Sequence, residues 1–208
     1  MFEAITFPYG SVTLATFVVL SFLGGRAERA SKTQKSTWLR EAQHTLWSLD
    51  DEGLLPGLRH DFLTLSGGPQ LHYVHNACAG PATQLVVFLH GFPDSWAIYK
   101  RFLGSSALQV GGVQLVAVDL PGCGGSDDLK RYGADEVLNA TVDAVAQLKN
   151  RFLAVDGSRC ALVGHDWGGV IAFRIAAETV GLIDRVVVVN TTYVRHSDMH
   201  SGWTPRHC

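Results

Sequence analysis

Residues 160–173 read Cys160-Ala161-Leu162-Val163-Gly164-His165-Asp166-Trp167-Gly168-Gly169-Val170-Ile171-Ala172-Phe173. A short apolar run, Cys160 to Gly164, passes directly into a helical stretch, Gly168 to Thr179. A strand that turns into a helix within so few residues needs small neighbours, because the residue at its apex sits in a strained backbone conformation with its flanks pressed together. Gly164, Gly168 and Gly169 are such neighbours, and Asp166 takes the apex. A serine there would indicate acyl transfer, whereas a carboxylate suits displacement at a saturated carbon. Serine attack on such a carbon leaves an ether that water does not clear; aspartate attack leaves an ester that can be hydrolysed. The alternative is a glycine-rich turn in which Asp166 is a plain helix N-cap.

Outward from this stretch, short apolar runs alternate with helical periodicity, the pattern of a mostly parallel α/β sheet. Phe62 to Ser66 and Leu71 to His75 form an expected hairpin across Gly67, Gly68 and Pro69. Leu85 to Leu89 and Val113 to Val118 are apolar on both faces, as buried parallel strands must be. Trp96 to Leu108 is the expected crossover helix between them, Asp135 to Phe152 a second helix, and Arg185 to Asn190 the last strand. Ligands of open α/β sheets bind beyond the carboxyl ends of the strands, and two more strand ends carry unusual residues. After Leu89 comes His90-Gly91-Phe92-Pro93. In an elbow enzyme this loop contributes one oxyanion-binding N–H and the residue after the nucleophile the other, which makes Phe92 and Trp167 the expected donors. His90 is expected to hydrogen-bond its own loop rather than act as a base. After Val118 comes Asp119-Leu120-Pro121-Gly122-Cys123-Gly124-Gly125-Ser126-Asp127. It begins like a dinucleotide fingerprint but has Asp127 where a glycine is needed, so a tight loop lining the site floor is expected.

HGFPDSW, DLPGCGGSD and GHDWGG, in this order, resemble the α/β-hydrolase fold and, within it, the epoxide hydrolase branch; the similarity covers Arg59 to Tyr193. The resemblance implies two-step hydrolysis of a small lipophilic epoxide to a vicinal diol. Asp166 is the implied nucleophile, the Phe92 and Trp167 N–H groups hold the oxyanion, and His90, Gly91, Pro93, Gly164, His165 and Gly168 form the supporting turns. It implies no cofactor and no metal. Haloalkane dehalogenases share the aspartate elbow but commonly carry asparagine at the position of Phe92, so the aromatic tilts the reading toward epoxides; a fluoroacetate-type dehalogenase remains compatible.

The departures concern the C-terminal side. The family order is nucleophile, acid, histidine, and the chain continues 18 residues past Asn190. A fragment lacking the acid, the histidine and the lid tyrosines is therefore expected, with the first six or so strands present. Asn190, an amide, stands where some relatives place the acid, and His196, His200 and His207 follow no strand that could return them to the elbow. A non-catalytic truncated membrane protein is the alternative.

At the other end, Ala4 to Leu23 contains no charged residue over 20 positions, enough helix to cross about 30 Å of hydrocarbon; a cleaved signal peptide or a buried helix is the alternative. Basic residues follow it, at Arg26, Arg29, Lys32, Lys35 and Arg40, so the positive-inside rule leaves the body cytosolic; the endoplasmic reticulum is a compatible membrane. The expected organisation is an N-terminal transmembrane anchor at 1–25, a partly helical linker at 26–58, a hydrolase-like portion at 59–193 and an irregular tail at 194–208. With 19 acidic and 17 basic residues, the net charge of −2 gives no reason to expect nucleic acid as a partner. Four dispersed cysteines read as isolated thiols in a reducing compartment. Oligomeric state leaves no trace in the sequence. The anchor makes one testable statement: the chain stays with membranes through a carbonate wash, and a chain beginning at residue 26 is recovered in the supernatant.

Overall fold

The computed structural model describes residues 57–191, apart from 79, 109, 110 and 154. The described residues open with two antiparallel strands, β1 (Leu58–Thr64) and β2 (Gln70–Asn76), in register from Leu58↔Asn76 to Thr64↔Gln70. The turn between them is closed by bonds between Leu65 and its neighbours: its N–H donates to Pro69 O at 2.8 Å and its carbonyl accepts from Gly68 N–H at 2.8 Å. Then come β3 (Gln84–Leu89), β4 (Val113–Val118), β5 (Arg159–His165) and β6 (Arg185–Val189). The sheet order is β1-β2-β4-β3-β5-β6, antiparallel as far as the β2–β4 pair and parallel across β4, β3, β5 and β6.

Packing on both faces explains the near-continuous apolar character of the central strands. On one face Leu85, Val87, Leu89, Val116, Val118 and Leu162 meet α2 (Ala134–Phe152) and α3 (Trp167–Glu178). On the other, Val74, Phe88, Leu115 and Ala117 meet Trp96, Tyr99 and Leu103. These last belong to a 3₁₀ turn, Trp96–Tyr99, that runs into one turn of helix, α1 (Lys100–Leu103). The expected crossover helix over 96–108 is thus much shorter. Its amide at Gly104 closes back on Lys100 O at 3.0 Å, and a sequence of Gly104-Ser105-Ser106 has little helix propensity with which to continue.

The two helices of the first face are tied together by Arg174 of α3. Its side chain is buried and reaches Asp135 Oδ1 at 2.9 Å, Ala134 O at 3.1 Å and Glu178 Oε1 at 2.7 Å. At the far edge β6 turns Val186 and Val188 toward the core, while Val187 and Val189 are each 52% exposed. The expected anchor, most of the expected linker and the expected tail lie outside the described residues, as do His196, His200 and His207. Among the described residues no helix is long and apolar enough to cross a membrane.

The cysteines differ from the expectation of four isolated thiols: Cys78 and Cys160 are free, but Cys123 is disulfide-bonded. Cys160 is fully buried on β5, and burial pushes its thiol up to about 11, with Lys149 opposing and Asp184 adding. The thiolate is the reactive form. At pH 8 it is about one part in a thousand of Cys160, a fraction that rises with pH. Iodoacetamide at pH 8 should therefore modify Cys78 and spare Cys160 in the folded chain, and modify both after denaturation, as peptide mapping would show.

Candidate active site

The site grows from the register of β3 with β5. Leu89 pairs with Gly164, so the carboxyl ends of the two strands lie side by side. Their continuations diverge, β3 into the 3₁₀ turn on one face and β5 into α3 on the other. The two strand ends thus lie together where the chain leaves the sheet toward opposite faces, the place where such sheets bind ligands.

Asp166 stands at the β5–α3 junction with φ 51° and ψ −120°. A non-glycine residue there stores roughly 1–3 kcal/mol of backbone strain. The junction is clamped at three points. The Asp166 N–H donates to Val189 O on β6 at 3.2 Å, and its carbonyl accepts from Gly169 N–H at 3.0 Å and Val170 N–H at 3.2 Å. The side chain makes no capping bond to the helix. The plain N-cap alternative is thereby excluded, because the carboxylate points away from the helix and toward the loop after β3. There the Phe92 N–H donates to Asp166 Oδ2 at 3.1 Å. Among the described residues Oδ1 takes no hydrogen bond.

The glycines around this contact are required by close approach. A Cβ on Gly164 would lie 2.4 Å from Gly168 O, one on Gly168 2.1 Å from Leu89 O, and one on Gly91 2.6 Å from Asp166 Cβ. A side chain at any of the three would push the elbow off the loop.

His90 is buried, with Nδ1 2.7 Å from Gly91 O and Nε2 accepting the Leu120 N–H at 3.0 Å. Because Nε2 accepts, the ring proton sits on Nδ1 and is donated to the Gly91 carbonyl. Both ring nitrogens are thus committed to the loop, and neither is free to take a proton from a substrate or water. The Phe92–Pro93 peptide is cis, and Phe92 is 49% exposed. Trp167 is the first residue of α3, and the buried Nδ1 of His165 has no hydrogen-bond partner among the described residues.

Two residues that sequence reasoning passed over prove central to the architecture. Asp119 is fully buried. It accepts from Trp96 N–H at 2.6 Å, Gly125 N–H at 2.9 Å and His72 Nδ1 at 2.8 Å. The DLPGCGGSD loop is thus wrapped around a carboxylate, so closely that a Cβ on Gly124 would fall 1.9 Å from its Oδ2. The available signal was an acid placed directly after an all-apolar strand. Tyr99 is the second. Its hydroxyl donates to Leu89 O at 2.8 Å. Burial, with a contribution from Asp94, holds the phenol well above its ordinary range, so it stays a donor at any working pH.

The profile of the family described as "Alpha/beta hydrolase family" matches residues 86–206, more than half of the chain. The chain is 32% identical over 139 residues to "Epoxide hydrolase 3" of Xenopus tropicalis, covering 65% of this chain and 35% of that protein. It is 36% identical over 138 residues to "Cis-3-alkyl-4-alkyloxetan-2-one decarboxylase" of Shewanella oneidensis, covering 66% and 40%. The solved structure of an "Epoxide hydrolase from an endophytic Streptomyces" superposes with a TM-score of 0.52 at 28% identity over 67% of this chain and 39% of that one. The chain thus spans between a third and two fifths of the length of these relatives.

The glycine contacts carry the prediction for this site. Gly168→Ala should cost about 3 kcal/mol or prevent folding, because the atom in its way is backbone and cannot yield. Gly67→Ala, whose Cβ would meet only Pro69 Cδ at 3.6 Å, should stay within about 0.5 kcal/mol of wild type in urea unfolding.

Proposed function

The chain belongs to the alpha/beta hydrolase family, and from that premise we propose that it carries the nucleophile of an enzyme that opens epoxides to vicinal diols. The observation that supports this reading is the disposition of the Asp166 carboxylate: Oδ2 held by the Phe92 N–H at 3.1 Å, Oδ1 without a partner among the described residues, and the side chain turned out of the helix. Similarity to an epoxide hydrolase of Xenopus tropicalis supports the same substrate class.

In the first step Oδ1 attacks an epoxide carbon. The C–O bond of the strained ring breaks, its electron pair goes to the ring oxygen, which takes up a proton, and an ester forms on Asp166. Oδ2 thereby becomes the ester carbonyl oxygen, already seated on an amide donor. In the second step water loses a proton and attacks that carbonyl carbon. The charge that develops on Oδ2 is met by the Phe92 N–H and, in this proposal, by the Trp167 N–H. Collapse expels the alkoxide, which takes the proton of the Asp166 carboxyl it leaves behind and departs as the second hydroxyl of the diol; the proton lost by water replaces the one taken up by the ring oxygen in the first step, and Asp166 is again a carboxylate. The net reaction adds one water to one epoxide and needs no cofactor. No residue of the described chain is assigned as the water-activating base, since both nitrogens of His90 are occupied.

Phe92 offers a backbone N–H and an aromatic ring but no side-chain amide with which to hold a departing halide, which favours an epoxide over a haloalkane. A strained four-membered cyclic ester, the class in the name of the Shewanella oneidensis relative, could be attacked by the same carboxylate, and its products distinguish it. The N-terminal anchor and a cytosolic body are part of the proposal, supported by the uncharged run from Ala4 to Leu23 and the basic residues after it; such a protein would meet lipophilic substrates at the membrane.

Incubation of the chain with styrene oxide should give a species heavier by one epoxide, mapped to Asp166. Asp166→Asn should give none, and with no base assigned the ester should outlast the seconds-long turnover typical of enzymes. An adduct on another residue, or none on the wild-type chain, would sink this reading.

A further inference from the structure

Among the described residues β6 is the last strand of the sheet and pairs with β5 alone, in register from Ala161↔Arg185 to His165↔Val189. Its exit therefore lies beside Asp166, the residue after His165. Three consecutive residues there close on the elbow. The Val189 carbonyl accepts the Asp166 N–H at 3.2 Å. Asn190 then takes φ 52°, a left-handed conformation that it shares, among the described non-glycine residues, with Asp166 itself. Asparagine is one of the few side chains that visits this region readily, whereas a β-branched residue would be strained in it. Thr191 follows, and the turn lays it against α3. A Cβ on Gly169 would fall 2.5 Å from Thr191 Cγ2, 2.9 Å from its Cβ and 3.2 Å from its Oγ1. The Gly169 Cα, one bond further off, is thus within about 4 Å of that methyl, in van der Waals contact. Gly169 in turn donates its N–H to the Asp166 carbonyl at 3.0 Å.

A strained conformation persists only where its surroundings over-determine it. The Phe92 N–H holds Asp166 from the β3 side, and the exit of β6 holds it from the other. We propose that Thr191 is a positioning residue for Asp166: its Cγ2 methyl, seated on Gly169 by the turn at Asn190, fixes the start of α3 and with it the peptide groups that carry the carboxylate. The proposal rests on the reading of Asp166 as nucleophile. Thr191 acts through Gly169 and not on the substrate, and Asn190 contributes a backbone conformation. The exit of an edge strand is where a sheet opens readily. Without the methyl, the bonds of Asp166 to Val189 and Gly169 open more often and the carboxylate loses its fixed aim. In a site where a misplacement of about 1 Å costs on the order of a hundredfold in rate, this slows the chemical step. Binding of the epoxide should be unaffected.

The test compares single substitutions in the 208-residue chain by two readouts, one of which does not depend on chemistry. Thr191→Ser removes the methyl and keeps the hydroxyl; Thr191→Val keeps the methyl and removes the hydroxyl. In amide hydrogen exchange, Thr191→Ser should speed exchange of the Asp166 and Gly169 amides by about tenfold relative to Leu162 and Val163 of β5. In single-turnover alkylation by styrene oxide, its rate constant for the Asp166 adduct should fall about tenfold, with the half-saturating epoxide concentration unchanged. Thr191→Val should bring both readouts back to within about twofold of wild type. Val187→Thr, a change at an exposed position of the same strand, should move neither. A Thr191→Ser rate constant within about twofold of wild type would overturn the proposal, as would a Thr191→Val or Val187→Thr chain slowed as much as Thr191→Ser. If the wild-type chain forms no adduct, the epoxide reading has failed and exchange decides alone. Unchanged exchange at Asp166 and Gly169 in Thr191→Ser would then overturn the positioning role, and faster exchange there, with Thr191→Val at the wild-type level, would support it.

Discussion

Asp166 is held at a backbone angle that a side chain rarely adopts, and the surrounding structure is arranged to keep it there. The angle costs roughly 1–3 kcal/mol, and what offsets it is anchorage on three sides: β6 through Val189, α3 through Gly169 and Val170, and the β3 loop through Phe92. The absence of a Cβ at Gly91, Gly164 and Gly168 is the geometric condition for that anchorage, since each of the three comes against backbone or against Asp166 itself. The result is a carboxylate fixed by one oxygen with the other presented. A relaxed helix N-cap would have turned the carboxylate onto its own helix.

Behind this contact lies a second layer that substrate never needs to touch. Asp119 collects donors from β2, from the start of the 3₁₀ turn and from its own loop. An unpaired carboxylate at that depth would be strongly unfavourable; with three donors it becomes a node that fixes the direction in which three segments leave the sheet. His90 ties the Leu120 amide to the Gly91 carbonyl in the same way. The peptide plane whose N–H meets Asp166 is thus hydrogen-bonded on its carbonyl side too, and bonds aligned in series strengthen one another. Tyr99 completes the layer at the end of β3, where its hydroxyl donates to the Leu89 carbonyl.

The strands were legible because burial on both faces leaves an unbroken apolar run. Val113–Val118 is found with the expected limits, and β5 and β6 differ from expectation by a residue or two. The hairpin was legible from Gly67-Gly68-Pro69, with its strands reaching further back and forward than their apolar centres suggested. The helix after the His90 loop was overextended. Its residues up to Leu103 pack under the sheet, but Gly104 and the serines after it carry neither an apolar stripe nor helix propensity, and apolar residues as far as Leu108 gave a false impression of continuity. At the site, glycine spacing and the acid at the apex were enough to single out Asp166, His90, Gly91 and Phe92. Asp119 and Tyr99 were missed because a polar atom's burial and partners depend on segments distant in sequence: Asp119 is joined to His72 across 47 positions.

Local chemistry therefore determined, from the sequence by itself, that this is an α/β sheet with a tight strand-to-helix turn and a carboxylate where a nucleophile would stand. Those properties follow from nearest neighbours: the period of apolar residues, the absence of Cβ atoms at glycine, and the identity of one side chain. Tertiary structure decided which oxygen of Asp166 is held, which tautomer of His90 the loop requires, and that Asp119 and Tyr99 serve the scaffold. These depend on distances near 3 Å between groups that share no local pattern, and only the pairing of β3 with β5, with the helices diverging to opposite faces, brings those groups together.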